Sequence, residues 1–372
     1  MSIKVGVFVE NLKPQKVVVA MSGGVDSSVA ALLLKQQGFD LTGVMLKLWS
    51  ESNQEGINRC CTPGAVFNAR RVAAILDIPF YVIDVKNIFY TEIVEHFIHS
   101  YLDGETPNPC IRCNQKIRWG HLLDMAKEIG ASFLATGHYA RIKIQPPNQF
   151  ELWKGIDPTK DQSYMLSNLS QSHLKSTIFP LGELPKSEVR NIARKWSLPV
   201  AEKEDSQDLC FVGDTNYRNF LKKYAPNAIL PGEIVDQEGN ILGTHDGLSF
   251  YTIGQRKGLR VSTGKPVYVI HKDKSRNQLV VTTKDDAGEK IFFSNSINWI
   301  SGIAAKTAFH AMVKIRYRSK EIPALIKPID DIKVRFELNT PLMDITPGQQ
   351  VVIYSGEKCL GGGKITQVGE EQ

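Results

Sequence analysis

No run of about 18 apolar residues occurs in this 372-residue chain, so no transmembrane helix is expected. Its opening stretch, MSIKVGVFVENLKPQK, lacks a long apolar core and a small-residue cleavage site, and does not read as a secretory leader. Cysteine is scarce. Six scattered residues are too few for a disulfide framework, which excludes a small secreted scaffold. The expected location is therefore cytoplasmic, where thiols stay reduced, bind metal or do redox chemistry. Internal repeats and low-complexity tails are absent. So is a large charge of one sign: the net charge is +6, which permits a nucleic-acid partner without requiring one. What remains is 42% hydrophobic and 23% charged, ordinary for a soluble chain with packed cores. The length suggests two or three domains.

The first half alternates strand and helix patterns. Lys16–Ala20, Leu41–Leu48, Phe80–Asp84 and Phe133–Gly137 read as strands. Ser27–Gln37, Ala65–Leu76, Ile88–Tyr101, Lys116–Ile129 and Lys186–Trp196 read as helices. Such βαβα order predicts a doubly wound parallel sheet, an α/β domain over residues 1–205. Residues 206–288 are rich in glycine and short apolar runs and read as a small central domain. Residues 289–372 carry short strands spaced by Gly and Pro turns, the pattern of a small β-barrel.

The stretch VVVAMSGGVDSSVAALLL, Val17–Leu34, poses the chemical question. An apolar strand stops at a glycine pair, then an apolar helix begins. Ligands of open α/β sheets bind at the carboxyl ends of strands. Glycines let the backbone approach phosphate, and serine hydroxyls and helix N–H groups donate to it. A Walker loop needs G-x-x-x-x-G-K-[ST]. That lysine is missing here, and GLRVSTGKP at Gly258–Pro266 fails in spacing. A bare glycine pair would be an ordinary βα turn. The full SGGVDSS resembles the PP-loop of N-type ATP pyrophosphatases, which split ATP between its α and β phosphates.

The cysteines add a second question. In DGETPNPCIRCNQKIRWG, Asp103–Gly120, prolines and an asparagine place Cys110 and Cys113 on a loop just before a helix. A thiol near a helix N-terminus and near Arg112, Lys116 and Arg118 is expected to have a lowered pKa. Zinc binding by C-x-x-C needs two more ligands, and adjacent Cys60 and Cys61 would chelate poorly. Two structural cysteines are the bland alternative. Cys210, in EKEDSQDLCFVGD, would by itself read as a core cysteine, and Cys359 as a structural one.

Taken together, SGGVDSS, NRCCTPG, TPNPCIRCNQKIRWG, LATGHYAR, KGIDPTKDQSYML, FPLGELPKSEVRNIA, EDSQDLCFVGD and YTIGQRKGLRV resemble, in this order, the bacterial tRNA-specific 2-thiouridylases (MnmA). The resemblance runs from about Val17 to the final strands. It implies that a wobble uridine of tRNA is adenylated by ATP and then receives sulfur from a cysteine persulfide. It further implies that Ala20, Met21, Ser22, Gly23, Gly24, Val25, Asp26, Ser27, Met45 and Gly137 contact ATP, with Mg2+ as counter-cation. Asp26 would bind that ion or fix the loop, and Met45 would equally serve as a core methionine. The resemblance makes Cys210 the persulfide carrier and Cys113 the thiol that resolves it through a transient Cys113–Cys210 disulfide. That bond needs the two Cα atoms within roughly 4.4–6.8 Å.

By the same resemblance Asn108, Pro109 and Cys110 line the target base, and His138, Lys160, Asp161 and Gln162 touch tRNA. Arg316, Tyr317 and Gln349 of the barrel do likewise. Many members carry Asp at position 110, so Cys110 unsettles an acid/base role there. It also supplies a third thiol, and Cys110, Cys113 and Cys210 would make a site for an iron–sulfur cluster. Without the resemblance Lys160 and Asp161 read as a solvated surface pair. The barrel gives an independent hint: with a strand period of two, Lys314, Arg316, Arg318 and Lys320 share one face of Val313–Lys320, suited to phosphates or simply solvated. A cysteine desulfurase or sulfur-relay protein is the expected second partner, and a monomer the expected state. The alternatives are a 4-thiouridine synthase, an amide-forming ligase (though no room remains for a glutaminase domain) and a catalytically silent RNA binder.

Overall fold

The computed structural model describes residues 14–50, 62–204, 209–212, 216–283 and 287–370. Arg59–Cys61 and residues 205–208 of the Cys210 motif lie outside them.

Five parallel strands form the first sheet, in the order β3-β2-β1-β4-β7. They are β1 (Lys16–Ala20), β2 (Asp40–Lys47), β3 (Phe80–Asp84), β4 (Phe133–Ala135) and β7 (Thr177–Ile178). Val17–Val19 are buried on both faces, as a continuous apolar run predicts for a central parallel strand. Helices α1 (Val25–Gln36) and α2 (Pro63–Ile75) pack on this sheet. Thr62 caps α2 by accepting from Ala65 N–H, with Pro63 in the first turn. The next helical segment runs through α3 (Lys86–Phe89), a π-helical stretch (Tyr90–Glu95) and α4 (His96–Leu102).

The following segment corrects the expected loop. The chain enters α5 (Pro109–Cys113), continues through a π-helical stretch (Asn114–Leu122) and ends in α6 (Leu123–Glu128). Asn108 accepts from Ile111 N–H and Pro109 occupies the first turn. Asn-Pro therefore starts the helix rather than extending a loop, and both cysteines sit in its first turns.

A hairpin of β5 (Ala140–Gln145) and β6 (Gln149–Lys154) leaves the parallel sheet altogether. It joins the barrel through β6 and β18. The chain then returns through α7 (Gln171–Lys175), β7 and α8 (Lys186–Lys195), which packs against α1. Helix α9 (Tyr217–Tyr224) opens the central region, whose sheet has the order β10-β11-β8-β9. Its strands are β8 (Gly232–Val235), β9 (Ile241–His245), β10 (Val267–Asp273) and β11 (Gln278–Thr283).

The barrel comprises β12 (Glu289–Ser294), β14 (Phe309–Lys314), β15 (Ile322–Pro328), β16 (Val334–Leu342), β17 (Gln350–Ser355) and β18 (Lys358–Val368), with β13 (Asn298–Trp299) paired to β18. It closes because β12 pairs with both β16 and β18, leaving no open edge. Phe292 and Phe336 stack in its core at 4.7 Å. The predicted strand Val313–Lys320 ends early. β14 stops at Lys314, and a turn follows in which Ser319 N–H donates to Arg316 O at 3.1 Å. The four cations therefore do not form one ladder face.

Candidate functional site

The carboxyl ends of β1, β2 and β4 frame a cleft. Its floor is the loop after β1, contributing Ala20, Met21, Ser22, Asp26 and Ser27. Met45 enters from β2, Gly137 and His138 from beyond β4, and Gln162 from a later turn. Cys113 and Arg118 close the remaining side. The structure thus brings the glycine–serine loop and one thiol to a single cavity.

Loop geometry follows from its residues. Gly23 has φ +70°, and a Cβ there would lie 2.2 Å from Ala65 O, so only glycine fits without strain. Ser22 N–H donates to Ser27 Oγ at 3.1 Å, and Ser28 Oγ donates to Gly24 O at 2.8 Å. Val25 is buried as the first residue of α1. Gly137 abuts the loop from the other side: a Cβ there would lie 2.7 Å from Ser27 N. These contacts make a preorganised turn whose serines and early helix N–H groups suit phosphate oxygens.

Two lysines complete the loop, and sequence reasoning missed both. Lys186 Nζ donates to both carboxylate oxygens of Asp26, at 2.7 and 2.8 Å. Tyr139 Oη donates to the same carboxylate at 2.7 Å. Lys203 Nζ reaches Gly23 O at 2.9 Å. One clue was available for Lys186. It stands at the first position of α8, where the helix dipole disfavours a cation, so some partner had to compensate it. Asp157 accepts the Lys186 backbone N–H at 2.9 Å, and its hydrogen bonds from Lys186 and Thr159 hold its pKa low despite some burial.

The thiols differ sharply in setting. Cys113 is buried and Cys110 exposed, while Cys210 is half-buried. Cys210 packs against the apolar cluster that contains Cys113 and Phe211. Of the three cations expected near Cys113, Arg118 reaches it: its Nη1 lies 4.0 Å from Sγ and donates to Asn114 Oδ1 at 2.6 Å. Arg112 pairs instead with Glu92 at 2.8 Å, and Lys116 is exposed. Among the described residues no group of three or more His, Cys, Asp or Glu side chains is arranged to hold a metal. Cys110, Cys113 and Cys210 therefore do not gather into an iron–sulfur site in this structure. Asp26 accepts from both Lys186 and Tyr139.

His138 Nδ1 is 2.7 Å from Thr136 Oγ1, and its ring lies beside Trp119 at 5.6 Å. Burial, with Arg118 nearby, pushes its pKa down to about 3, so it is neutral at physiological pH. Asp161 corrects the solvated-pair reading. Its carboxylate is buried and accepts from Gly155 N–H, Ser163 N–H and Ser163 Oγ, and burial raises its pKa. Lys160, beside it, is half-buried. Gln162 Oε1 accepts from Tyr139 N–H at 3.0 Å.

The three barrel residues lie away from the cleft lining, and each bonds across to another part of the chain. Arg316 Nη2 donates to Ile253 O in the central region, and to Asp344 O and Thr346 Oγ1. Tyr317 Oη donates to Asp161 O at 3.1 Å. Gln349 Nε2 donates to Thr106 O at 2.7 Å. Thr106 belongs to the short segment Asp103–Thr106 between α4 and α5, which other parts of the chain grip along its length. Lys274 Nζ meets Asp103 and Lys272 Nζ meets Gly104 O, at 3.1 and 3.0 Å. Lys364 Nζ meets Glu105 at 2.9 Å, and Thr106 N–H donates to Pro347 O.

Comparison with known proteins matches these parts in order. Residues 15–214 match a family model described as a tRNA methyl transferase HUP domain. Residues 218–283 match the tRNA methyl transferase PRC-barrel domain, and residues 289–365 an aminomethyltransferase β-barrel domain. The tRNA-specific 2-thiouridylase MnmA of Moorella thermoacetica is 45% identical over 95% of this chain and 99% of its own. MnmA 1 of Caldanaerobacter subterraneus subsp. tengcongensis is 46% identical over 94% of this chain and 97% of its own. Among solved structures, the U34-tRNA thiolase NcsA of Methanococcus maripaludis aligns at 22% identity and a TM-score of 0.36, covering 58% of this chain and 67% of that one. With near full-length identity to such relatives, this chain belongs to the tRNA-specific 2-thiouridylase family.

Proposed function

We propose that this protein replaces the C2 oxygen of the tRNA wobble uridine with sulfur, using ATP. One observation carries the reading: the phosphate-type loop after β1 and the buried thiol of Cys113 line the same cleft. The loop orients ATP so that the uridine O2 attacks the α-phosphorus and pyrophosphate leaves. Bound Mg2+ would neutralise the phosphate charge. The target base must leave its stack to reach the cleft, and Asn108, Pro109 and Cys110 at the start of α5 would line it there. Cys210, charged as a persulfide, attacks C2 through its outer sulfur, and AMP departs with the original oxygen. Cys113 then attacks the inner sulfur. The C2 thione is released and a Cys113–Cys210 disulfide remains, which an external thiol reduces.

The persulfide sulfur would come from a cysteine desulfurase or a relay protein. His138, Lys160 and Gln162 would face tRNA near the cleft, with buried Asp161 holding their turn in shape, and Arg316, Tyr317 and Gln349 would do so from the barrel. The catalytic, central and barrel parts are proposed as domains 1–205, 206–288 and 289–372, working as a cytoplasmic monomer. No step uses an iron–sulfur cluster.

The test incubates the protein with unmodified tRNA, MgATP, a cysteine desulfurase and cysteine, then analyses nucleosides by mass spectrometry. Expected is 2-thiouridine at the wobble position, with AMP and pyrophosphate formed. A methylated nucleoside, or ADP as product, would overturn the proposal.

A further inference from the structure

We infer that Arg118 is a catalytic residue of the sulfur-release step, the cation that pairs with the Cys113 thiolate. The inference rests on the sulfur-transfer reading above. Cys113 is buried, and a charged sulfur there is costly without a partner. Arg118 Nη1 lies 4.0 Å from its Sγ. Among the described residues that line the cleft, Arg118 is the one cation, since His138 is neutral near pH 7. Other charges nearby are engaged with each other: Arg112 with Glu92, and Asp26 with Lys186.

Backbone geometry makes the pairing. In an α-helix, residues five apart point roughly 140° away from each other. The π-helical stretch Asn114–Leu122 follows directly on Cys113, and its hydrogen bonds span five residues. Leu123 N–H, for example, donates to Arg118 O. That register stacks Arg118 over Cys113. Asn114 then fixes the guanidinium. Its Oδ1 accepts from Arg118 Nη1 at 2.6 Å, while its Nδ2 donates to Met165 O at 2.9 Å. Asn114 is 3% exposed and neutral, so it orients the cation without cancelling its charge.

Once the persulfide has attacked, Cys210 is joined to C2 of the uridine through two sulfurs. The Cys113 thiolate, its proton already lost to solvent, bonds to Cys210 Sγ. The bond from that sulfur to the outer one breaks. Its electron pair stays on the sulfur at C2, and a proton taken up at N3 gives the thione. Arg118 keeps Cys113 ionised and holds the negative charge as it spreads over the three sulfurs.

The experiment follows a single turnover of full-length, persulfide-loaded protein with MgATP and unmodified tRNA. Non-reducing gels read the Cys210–tRNA adduct, and mass spectrometry reads 2-thiouridine. Cys113→Ser, which cannot resolve the adduct, is the reference. Arg118→Gln is expected to slow resolution roughly a hundredfold, so that the adduct accumulates and a reducing agent discharges it. Arg118→Lys keeps the charge and is expected to recover most of the rate. Thermal melting checks folding, and Arg118→Met carries the test if Arg118→Gln does not fold. The adduct forms only after adenylation and attack by Cys210, so a merely structural defect would not enrich it. Arg118→Gln that thiolates at the wild-type rate would overturn the inference. So would lost thiolation with no adduct, or Arg118→Lys no faster than Arg118→Gln. Absence of the adduct in Cys113→Ser itself would instead overturn the order of sulfur steps in the proposed function, and this inference with it.

Discussion

The loop after β1 and the turn of the barrel that carries Arg316 and Tyr317 solve opposite problems. Loop residues are contiguous in sequence, and a strand-to-helix turn presents them to the cleft together. Arg316, Tyr317 and Gln349 come from two separated turns, and each is anchored to the central or catalytic part of the chain. The loop is therefore a site built by local geometry, whereas the barrel surface is built by how the domains meet. Substitutions in the first should change ligand chemistry. Those in the second should change assembly and RNA affinity together.

The largest expected effect tests whether the loop works apart from the thiols. Cys210→Ser should abolish 2-thiouridine while leaving tRNA-dependent AMP formation, measured side by side. Loss of both activities would place Cys210 in the adenylating half. Next, Gly23→Ala forces a side chain into a positive-φ position against Ala65 O. It should cost about 1–3 kcal/mol in stability and most of the ATP affinity, read by thermal melting and dialysis.

The barrel counterpart separates neighbours. Arg316→Ala takes a donor from the carbonyls of Ile253 and Asp344, the second of which keeps the Thr346 hydroxyl, and should cost about 1–3 kcal/mol, seen as a lowered Tm. Arg318 is exposed in the same turn. Arg318→Ala should leave Tm unchanged but weaken tRNA binding, with the salt dependence reduced by about one unit of slope. Equal behaviour of the two variants would erase the contrast between them.

The smallest effect concerns His138. Its folded pKa is depressed from 6.5 to about 3, so below pH 6.5 the unfolded chain takes up a proton that the folded one refuses. Stability therefore declines as pH falls from 6.5 toward 3. His138→Gln should make the decline of Tm between pH 7 and 5 shallower.

Legibility in the sequence followed the same divide. β1 and β3 fall on the predicted residues, and SGGVDSS marks its own turn, because period and turn chemistry are local. The hairpin β5–β6 gave no sign that it would join β18, since strand partners are not encoded locally. The run Val313–Lys320 alternates perfectly yet turns at Arg316, because carbonyls from β10's neighbour segment and from Asp344 capture the guanidinium. Asp161 looked like a surface charge until the N–H groups of Gly155 and Ser163 surrounded it. Lys186 was visible as a residue, but its partner was not.

The grip on Asp103–Thr106 bears on how the molecule melts. Four consecutive residues are held by lysines of the central region and by the barrel, and they lead straight into the helix carrying Cys113. Freeing either outer part costs bonds at the catalytic part's own helix junction. Heating should therefore give one cooperative transition, with calorimetric and van't Hoff enthalpies in agreement, where three bead-like domains on linkers would give three.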